Sequence, residues 1–178
     1  CYTNQLTSLD VSTNTALTTL SCSGNQLTTL DVSANLALTN LNCHNNQLTA
    51  LDVSANLALT YLYCYSNQLT SLDVSANFAL TCLYCSSNQL TSLDVRNGNN
   101  TNMNTSSSYL KFTNNPQLYC IDVDDVAWAD TNWTVANNNI SFWNGFSNNC
   151  ATAIYGCQDS LACNYDSTAT IYDGYCIY

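Results

Sequence analysis

Residues 27–47 read LTTLDVSANLALTNLNCHNNQ, and this stretch decides the fold because the chain repeats it in phase every 21 residues. The leading leucine of the unit recurs as Leu6, Leu27, Leu48, Leu69 and Leu90. Each unit contains two similar halves, 27–35 and 38–46, and both follow the pattern LxxLx(V/C)xxN. A repeat of this length is typical of a solenoid, in which each unit buries its apolar face only against its neighbours.

The alternation within each half predicts a short β-strand. Side chains in a strand point to opposite faces in turn, so Leu30 and Val32 point inward, as do Leu41 and Cys43. The Asn that closes each half suits a turn, because its side chain can bond backbone groups and it tolerates left-handed geometry. Each 21-residue coil therefore carries two strands on opposite walls, and stacked coils build two parallel sheets around one narrow core.

The pattern resembles that of the leucine-rich-repeat family, LxxLxLxxN, over residues 1 to about 123. The nested second half is similar to a 21-residue class of secreted Bacteroidetes proteins. This resemblance implies a mainly β, right-handed leucine-rich-repeat β-solenoid with two parallel sheets and a small disulfide-stapled C-terminal cap and module.

Three segments follow from where the period breaks: the solenoid (1–97), an irregular repeat with a cap (98–155) and a Cys/Asp-rich module (156–178). The run NPxLxCIxVDD from Asn115 and the closing Cys150 resemble the terminal cap of flavobacterial leucine-rich-repeat proteins. That resemblance implies a disulfide between Cys120 and Cys150. The last segment resembles the GCxDxxACNYxxxAxxxDGxC module of secreted Bacteroidetes proteins.

Composition excludes several classes of function. The formal net charge is −10 and the only strong bases are Arg96 and Lys111, so neither nucleic acid nor anionic lipid is an expected partner. No apolar run is long enough for a membrane span. With one His, no Glu, no GxSxG motif and no phosphate loop, the chain is not expected to be an enzyme.

Eleven cysteines indicate an oxidising compartment, so we expect an extracellular or cell-surface protein. The absence of a signal-peptide pattern at Cys1 suggests a mature or trimmed chain. An inward column comprises Cys1, Cys22, Cys43, Cys64 and Cys85. A strand spacing of about 4.8 Å is too wide for a disulfide, which favours buried thiols over a redox or metal ladder.

Two outward columns face opposite sides of the solenoid. An acidic column comprises Asp10, Asp31, Asp52, Asp73 and Asp94, read as a solvated face or as a collector of divalent cations. On the other wall, a candidate ligand-binding face comprises Tyr61, Tyr63, Tyr65, Tyr84 and His44. Clustered Tyr offers apolar area and polar tips to a sugar or a protein, although scattered surface aromatics remain the alternative.

The module and its surroundings carry candidate sites of three kinds. Ca²⁺, the only candidate cofactor, would bind the hard oxygens of Asp159, Asn164, Asp166 and Asp173, unless these serve as turn residues. Candidate disulfide residues beyond the cap are Cys157, Cys163 and Cys176, and together with Cys82 they leave the pairing open. The odd total implies a free thiol or an intermolecular bond. Candidate glycosylation sites are the sequons at Asn99, Asn104, Asn132 and Asn139, and Ser160.

Two functions follow from these features. The first is an extracellular structural or adhesive protein, specifically a head-to-tail subunit of a surface filament, because the coil at Cys1 begins without a cap and unlike ends can stack. The second is a binding module that holds a glycan or a cell-surface protein on the Tyr-rich face. The expected partners are therefore a second copy of the chain, a glycan or a protein.

Overall fold

The computed structural model describes residues 1–172 and 174–178. In chain order the strands are β1 (Thr19–Ser21), β2 (Asn40–Asn42), β3 (Tyr61–Tyr63), β4 (Ser71–Asp73), β5 (Cys82–Tyr84), β6 (Ser92–Asp94), β7 (Leu110–Lys111), β8 (Cys120–Asp122), β9 (Gly145–Ser147), β10 (Tyr155–Gly156) and β11 (Ile171–Tyr172). One α-helix, α1, spans Val126–Asn132, and 3-10 turns occupy Asn100–Asn102 and Cys150–Thr152.

The strands form a mainly β, parallel-sheet solenoid of about six turns, as the repeat predicts. Sheet A has the order β1-β2-β3-β5-β7 and sheet B the order β4-β6-β8-β9, while β10 and β11 pair separately in the module. Every pairing is parallel. Leu41 pairs with Leu20 on one side and Leu62 on the other, so equivalent leucines stack in a column.

Sheet B covers less of the solenoid than the sequence predicts. The expectation of two strands in every coil is wrong for the first coils, because the wall around Asp10, Asp31 and Asp52 contains no strand. Sheet A, in contrast, bonds neighbouring coils from β1 onwards. The inward direction of Leu30 and Val32 is nevertheless correct, since both are buried.

A single apolar core runs from Val11 to Phe146 and includes the four inward cysteines from Cys22 to Cys85. At the C-terminal end, Trp133 is fully buried. Its ring packs edge-on against Phe112 and Phe146, with centroids 5.6 and 5.8 Å apart. The cap therefore closes the open end of the core, which a solenoid requires.

Helix α1 of the cap begins where the sequence places acids. The side chain of Asp125 at the N-cap accepts a hydrogen bond from the Trp128 N–H at 3.0 Å. Such a bond satisfies one of the donors that a helix N-terminus leaves without an intrahelical partner. The helix thereby brings Trp128 against Trp133, with centroids 5.7 Å apart.

Buried asparagines join neighbouring coils at the turn that follows each sheet A strand. Asn67 Nδ2 donates to the carbonyls of Cys43 and Cys64 at 3.1 and 3.0 Å, and its Oδ1 accepts from Leu48 N–H at 3.0 Å. Asn25, Asn46 and Asn88 repeat this pattern. This side-chain bonding is what the sequence predicts for the closing Asn.

The left-handed backbone position lies one residue earlier than this Asn. It is occupied by Thr3, Gly24, Asn45, Ser66, Ser87 and Asn114, all with positive φ. Gly and Asn tolerate this region readily, whereas Ser and Thr adopt it at a cost. The left-handed geometry expected of the closing Asn is therefore adopted by the residue before it.

Candidate functional site

The outward side of sheet A carries the cluster of rings that the sequence places there. Tyr61 and Tyr63 are the ends of β3 and Tyr84 ends β5. His44 and Tyr65 each follow a strand by two residues and occupy equivalent positions in successive coils. We call these five residues the aromatic face. Tyr61 is exposed, and the other four are half-buried.

The rings of the aromatic face pack against one another. His44 and Tyr65 are stacked, with centroids 4.2 Å apart and planes 9° apart. Tyr65 also lies 4.5 Å from Tyr84, and Tyr84 lies 6.4 Å from Tyr63 in a tilted pair. The ammonium of Lys111 lies 5.8 Å from the centroid of the Tyr84 ring, within the range of a cation–π interaction. The cluster is therefore pre-organised in the free protein.

The electrostatics of the aromatic face follow from this packing. Burial holds the pKa of His44 below its usual value, so the ring stays neutral at physiological pH. Its Nδ1 bonds with Asn42 Oδ1. Burial raises the pKa of Tyr63 and, together with the neighbouring Tyr84, that of Tyr65, so both hydroxyls stay protonated. The face therefore offers neutral donors and acceptors beside one cation, Lys111.

Cys82 lies beneath these rings. It pairs with Tyr61 in the register of sheet A and so occupies an outward position, yet it is 1% exposed. Its thiol donates to the Tyr109 carbonyl at 2.9 Å and is a hydrogen-bond partner of the Tyr63 hydroxyl. The irregular coil that includes Tyr109 thus covers a position that would otherwise face solvent. Cys82 is a structural thiol and forms no disulfide.

The inward cysteines are free thiols shielded from solvent. Cys22, Cys43, Cys64 and Cys85 are all fully buried. The expectation that Cys1 shares this inward column is wrong, because Cys1 lies in the first coil, which has a neighbouring coil on one side only, and is exposed. Burial raises the pKa of Cys22 to about 11 and also raises the pKa of the other three buried thiols well above the usual thiol value. Because the thiolate is the reactive form, these side chains act as small apolar groups.

The acidic column faces away from the aromatic face and is organised by local hydrogen bonds. Asp31 Oδ1 accepts from Ser33 N–H at 2.9 Å, and the bonds from Ser33 hold the pKa of this carboxyl below its usual range. Asp10 and Asp52 have the same arrangement. Arg96 forms an ion pair with Asp94 at the C-terminal end of the column. These bonds account for the spacing of two residues between Asp and Ser that recurs along the column.

Three of the four candidate Ca²⁺ ligands, Asp159, Asn164 and Asp166, form hydrogen bonds within the module. Asp159 accepts from Leu161 N–H and from the Tyr178 hydroxyl, and Asp166 accepts from Thr168. Asn164 joins its loop to the C-terminal segment through bonds with Tyr175 and Ile177. Among the described residues no three His, Cys, Asp or Glu side chains are placed to hold a metal ion, and Asp173 lies outside those residues.

Two disulfides connect the C-terminal region. Cys120 is joined to Cys150 and Cys157 to Cys176. The expectation that Cys163 is part of a disulfide differs from the structure, where its thiol is free and exposed. The reason is that Cys176 pairs with Cys157, which leaves Cys163 without a cysteine partner among the described residues.

The candidate glycosylation sites differ in accessibility. Asn139 is fully buried and donates to the carbonyls of Thr105 and Leu110 at 2.9 Å, so the folded protein cannot accept a glycan there. The amides of Asn99 and Asn132 donate to backbone carbonyls. Asn104 and Ser160 are exposed. The side chains of these two residues are therefore accessible for the attachment of a glycan.

An exposed apolar column is a feature that the sequence reasoning missed. It comprises Leu36, Leu57 and Phe78, which are 64%, 55% and 65% exposed. They share the position after the first Asn of each unit, at a turn where polar residues are usual. The signal in the sequence is the recurrence of a large apolar residue at this otherwise variable position of the repeat.

Comparisons with known proteins bear on the solenoid. No protein-family profile matches the chain, and no curated protein sequence matches it. Among solved structures the chain is similar to the functional domain of InlJ from Listeria monocytogenes, which includes a cysteine ladder, with 45% identity and a TM-score of 0.51. It is also similar to a leucine-rich-repeat protein of Leptospira interrogans, with 21% identity and a TM-score of 0.48.

The similarities cover a limited share of these proteins. The InlJ alignment covers 67% of this chain and 23% of the InlJ chain, and the Leptospira alignment covers 82% and 35%. The leucine-rich-repeat solenoid predicted from the sequence is confirmed. The similarity to InlJ supports a repeat protein. Within the described residues, every helix is too short or too polar to cross a bilayer.

Proposed function

We propose that this chain is an extracellular, non-enzymatic binding protein whose aromatic face docks a partner protein. The observation that carries the proposal is the packed cluster of His44, Tyr65 and Tyr84 on the outward side of sheet A. A rigid group of half-buried rings with polar tips loses little conformational entropy on binding, which is why Tyr is enriched in binding surfaces.

The ring geometry favours a protein over a glycan on this face. A sugar ring stacks on an open aromatic face, but Tyr65 lies between His44 and Tyr84, and both neighbours are within 4.5 Å of its centroid. Both faces of the Tyr65 ring are therefore covered, and its edge and hydroxyl group remain for contact. Edges and hydroxyls suit the mixed apolar and hydrogen-bonding contacts of a protein surface.

The distribution of charge supports the same choice of surface. The chain has a net charge of −10, and its acidic column lies on the wall opposite sheet A. The aromatic face carries the one His and, beside Tyr84, one of the two strong bases. The acidic column would repel an acidic partner on the opposite wall. A partner that binds to sheet A avoids this like-charge repulsion.

Head-to-tail assembly into a filament stays a prediction, and the arrangement of the C-terminal region does not favour it. The cap covers the end of the core with Trp133, and β9 extends sheet B beyond β8. The C-terminal segment is also bound to its own module, through the Cys157–Cys176 disulfide and the bond from Cys163 N–H to the Ile177 carbonyl. It is therefore not free to add a strand to another copy.

An extracellular location is part of the proposal. Two disulfides join segments of the cap and the module, and such bonds persist in oxidising compartments. The buried thiols are compatible with that environment, because burial keeps them protonated and away from oxidants.

The test is capture on immobilised protein from an extract of surface and secreted proteins, followed by mass spectrometry. Three forms are compared: the unmodified chain, the Tyr65→Ser/Tyr84→Ser variant, and the Asp31→Asn/Asp52→Asn variant as a control on the opposite wall. A protein retained by the unmodified chain and the Asp variant, but lost by the Tyr variant, supports the proposal.

Two outcomes contradict it. A partner lost only by the Asp variant would assign binding to the acidic wall. Ligands recovered on a glycan array, with binding abolished by the Tyr variant, would assign a sugar to this face. Circular dichroism of both variants ensures that loss of binding does not come from unfolding.

A further inference from the structure

A second aromatic site lies where the C-terminal module meets the cap. A cavity of about 250 Å³ is lined by Pro116, Tyr119, Phe142, Trp143, Gly174 and Tyr175. The first four residues belong to the cap and the last two to the module. None of these residues shares in the aromatic face of sheet A, so the cavity is a separate surface.

Close packing between the cap and the module builds this cavity. Gly145 lies two residues after Trp143, and a Cβ atom there would come within 2.8 Å of Ile171 Cδ1. Only glycine permits that approach of β9 to the module without a shift of the neighbour. The Cys157–Cys176 disulfide fixes the segment next to Tyr175. The two walls of the cavity are therefore held by packing and by a covalent bond.

The rings at this cavity are arranged differently from those of sheet A. Phe142 and Trp143 meet edge to face at 79°, with centroids 4.9 Å apart. Tyr119 meets Tyr155 in the same manner, at 71° and 6.3 Å. In an edge-to-face pair at least one ring face stays open. Phe142 is 68% exposed, so its ring is accessible to a ligand.

We propose that this cavity binds one neutral pyranose ring of a glycan. The described lining residues carry no formal charge, and the chain as a whole is strongly acidic, so an anionic ligand would have no cation to pair with. Open aromatic faces pack against the C–H face of a sugar, while the Tyr119 hydroxyl provides a polar tip for its hydroxyl groups.

The size of the cavity separates a sugar from a peptide. Sites for drug-sized ligands have volumes of roughly 300–1,000 Å³, and this cavity is smaller, as one ring requires. A proline-rich peptide adopts an extended helix and docks along an aromatic-lined groove. The lining here is a single compact group of residues at one junction, which fits a single ring better than an extended chain.

The test is an NMR titration in which the indole N–H signal of Trp143 is followed. The probes are the methyl pyranosides of glucose, galactose, mannose and N-acetylglucosamine, with a proline-rich decapeptide as the competing class. We expect at least one pyranoside to shift the Trp143 signal, and Phe142→Ser to weaken its binding about tenfold, the loss of one good ring contact. Phe78→Ser removes an equally exposed Phe that does not line the cavity, and leaves the affinity unchanged.

The proposal is overturned if no pyranoside shifts the Trp143 signal, if only the decapeptide does, or if sugar binding survives Phe142→Ser. The Tyr65→Ser/Tyr84→Ser variant separates this site from the aromatic face, since it retains sugar binding at the cavity whatever its effect on the protein partner. Phe142 is exposed, so its replacement leaves the core intact and keeps the result interpretable.

Discussion

Replacement of Asn67 by Ala removes one member of the asparagine ladder that joins the coils. Asn67 accepts from the Leu48 N–H and donates to the Cys43 carbonyl, both about one coil earlier in the chain, and it donates to the Cys64 carbonyl in its own coil. Those two carbonyls also accept from Asn46 and Asn88, respectively. The variant therefore leaves the carbonyls partly satisfied, whereas the buried N–H of Leu48 loses its partner.

The magnitude follows from that asymmetry. An orphaned buried donor costs about 1–3 kcal/mol, and each lost hydrogen bond to a satisfied carbonyl costs about 0.5–1.5 kcal/mol. We expect Asn67→Ala to lower the free energy of unfolding by about 2–6 kcal/mol, centred near 4 kcal/mol.

Asn56 provides a matched comparison on the other wall. It is fully buried, and its Nδ2 donates to the carbonyls of Val32 and Asn35 at 3.0 Å, but its Oδ1 is buried without a hydrogen-bond partner. Asn56→Ala therefore orphans no donor, and we expect a loss of about 1–3 kcal/mol, centred near 2 kcal/mol. Gln68→Ala at an exposed position should stay within about 0.5 kcal/mol of the unmodified chain.

The assay is urea unfolding followed by circular dichroism, with the slope of the transition compared among the variants so that only changes at constant slope are read as stability. The expected order of destabilisation is Asn67→Ala, then Asn56→Ala, then Gln68→Ala. A loss from Asn56→Ala equal to or larger than that from Asn67→Ala would refute the argument that the orphaned Leu48 N–H dominates.

Three further outcomes are expected. Ser66→Gly should raise the free energy of unfolding by about 0.5–1 kcal/mol in the same assay, because Ser66 has φ +54° and glycine adopts that region without strain; no gain, or a loss, would count against strain at this position. Iodoacetamide should label exposed Cys163 in the folded protein, but should label Cys22, whose pKa is about 11, only after unfolding. Peptide mass spectrometry identifies the labelled residues, and labelling of Cys22 in the folded protein would show an open core. The Asp31 carboxyl has a folded-state pKa below its usual 3.8, so its contribution to stability is present above pH 3.8 and is lost as the pH falls through the lower folded-state pKa. Asp31→Asn should therefore reduce the fall of the melting temperature with decreasing pH in this acidic range. An unchanged pH dependence of the melting temperature would contradict this.

The direction of each core side chain was predictable from the sequence. A period of two places Leu41 and Cys43 inward, and a period of 21 stacks Leu41 between equivalent leucines, so the fold follows from elementary strand geometry. The Tyr-rich side of sheet A was also predictable, because outward residues of in-register strands must share a surface. In this part of the chain, the alternation within each strand and the stacking of neighbouring coils place the same residues inward and outward.

Features that depend on three-dimensional packing were not accessible in this way. Cys82 is buried because an irregular coil folds over it, and Asn139 is buried by the region around Thr105 and Leu110, which is distant in sequence. The stack of Tyr65 between its neighbours depends on side-chain rotamers that the repeat does not specify. The free thiol of Cys163 follows from the pairing of Cys157 with Cys176, one of several pairings that the sequence allows.

The most direct measurement for the central claim is the affinity of the captured partner protein for the unmodified chain and for Tyr65→Ser/Tyr84→Ser, by isothermal titration calorimetry. Two central rings that act as hot spots contribute about 3 kcal/mol together, so the account predicts a loss of about 100-fold in affinity. The Asp31→Asn/Asp52→Asn control should bind as the unmodified chain does. A change of less than about threefold on removal of both tyrosines, well under 1 kcal/mol, would contradict binding through the aromatic face.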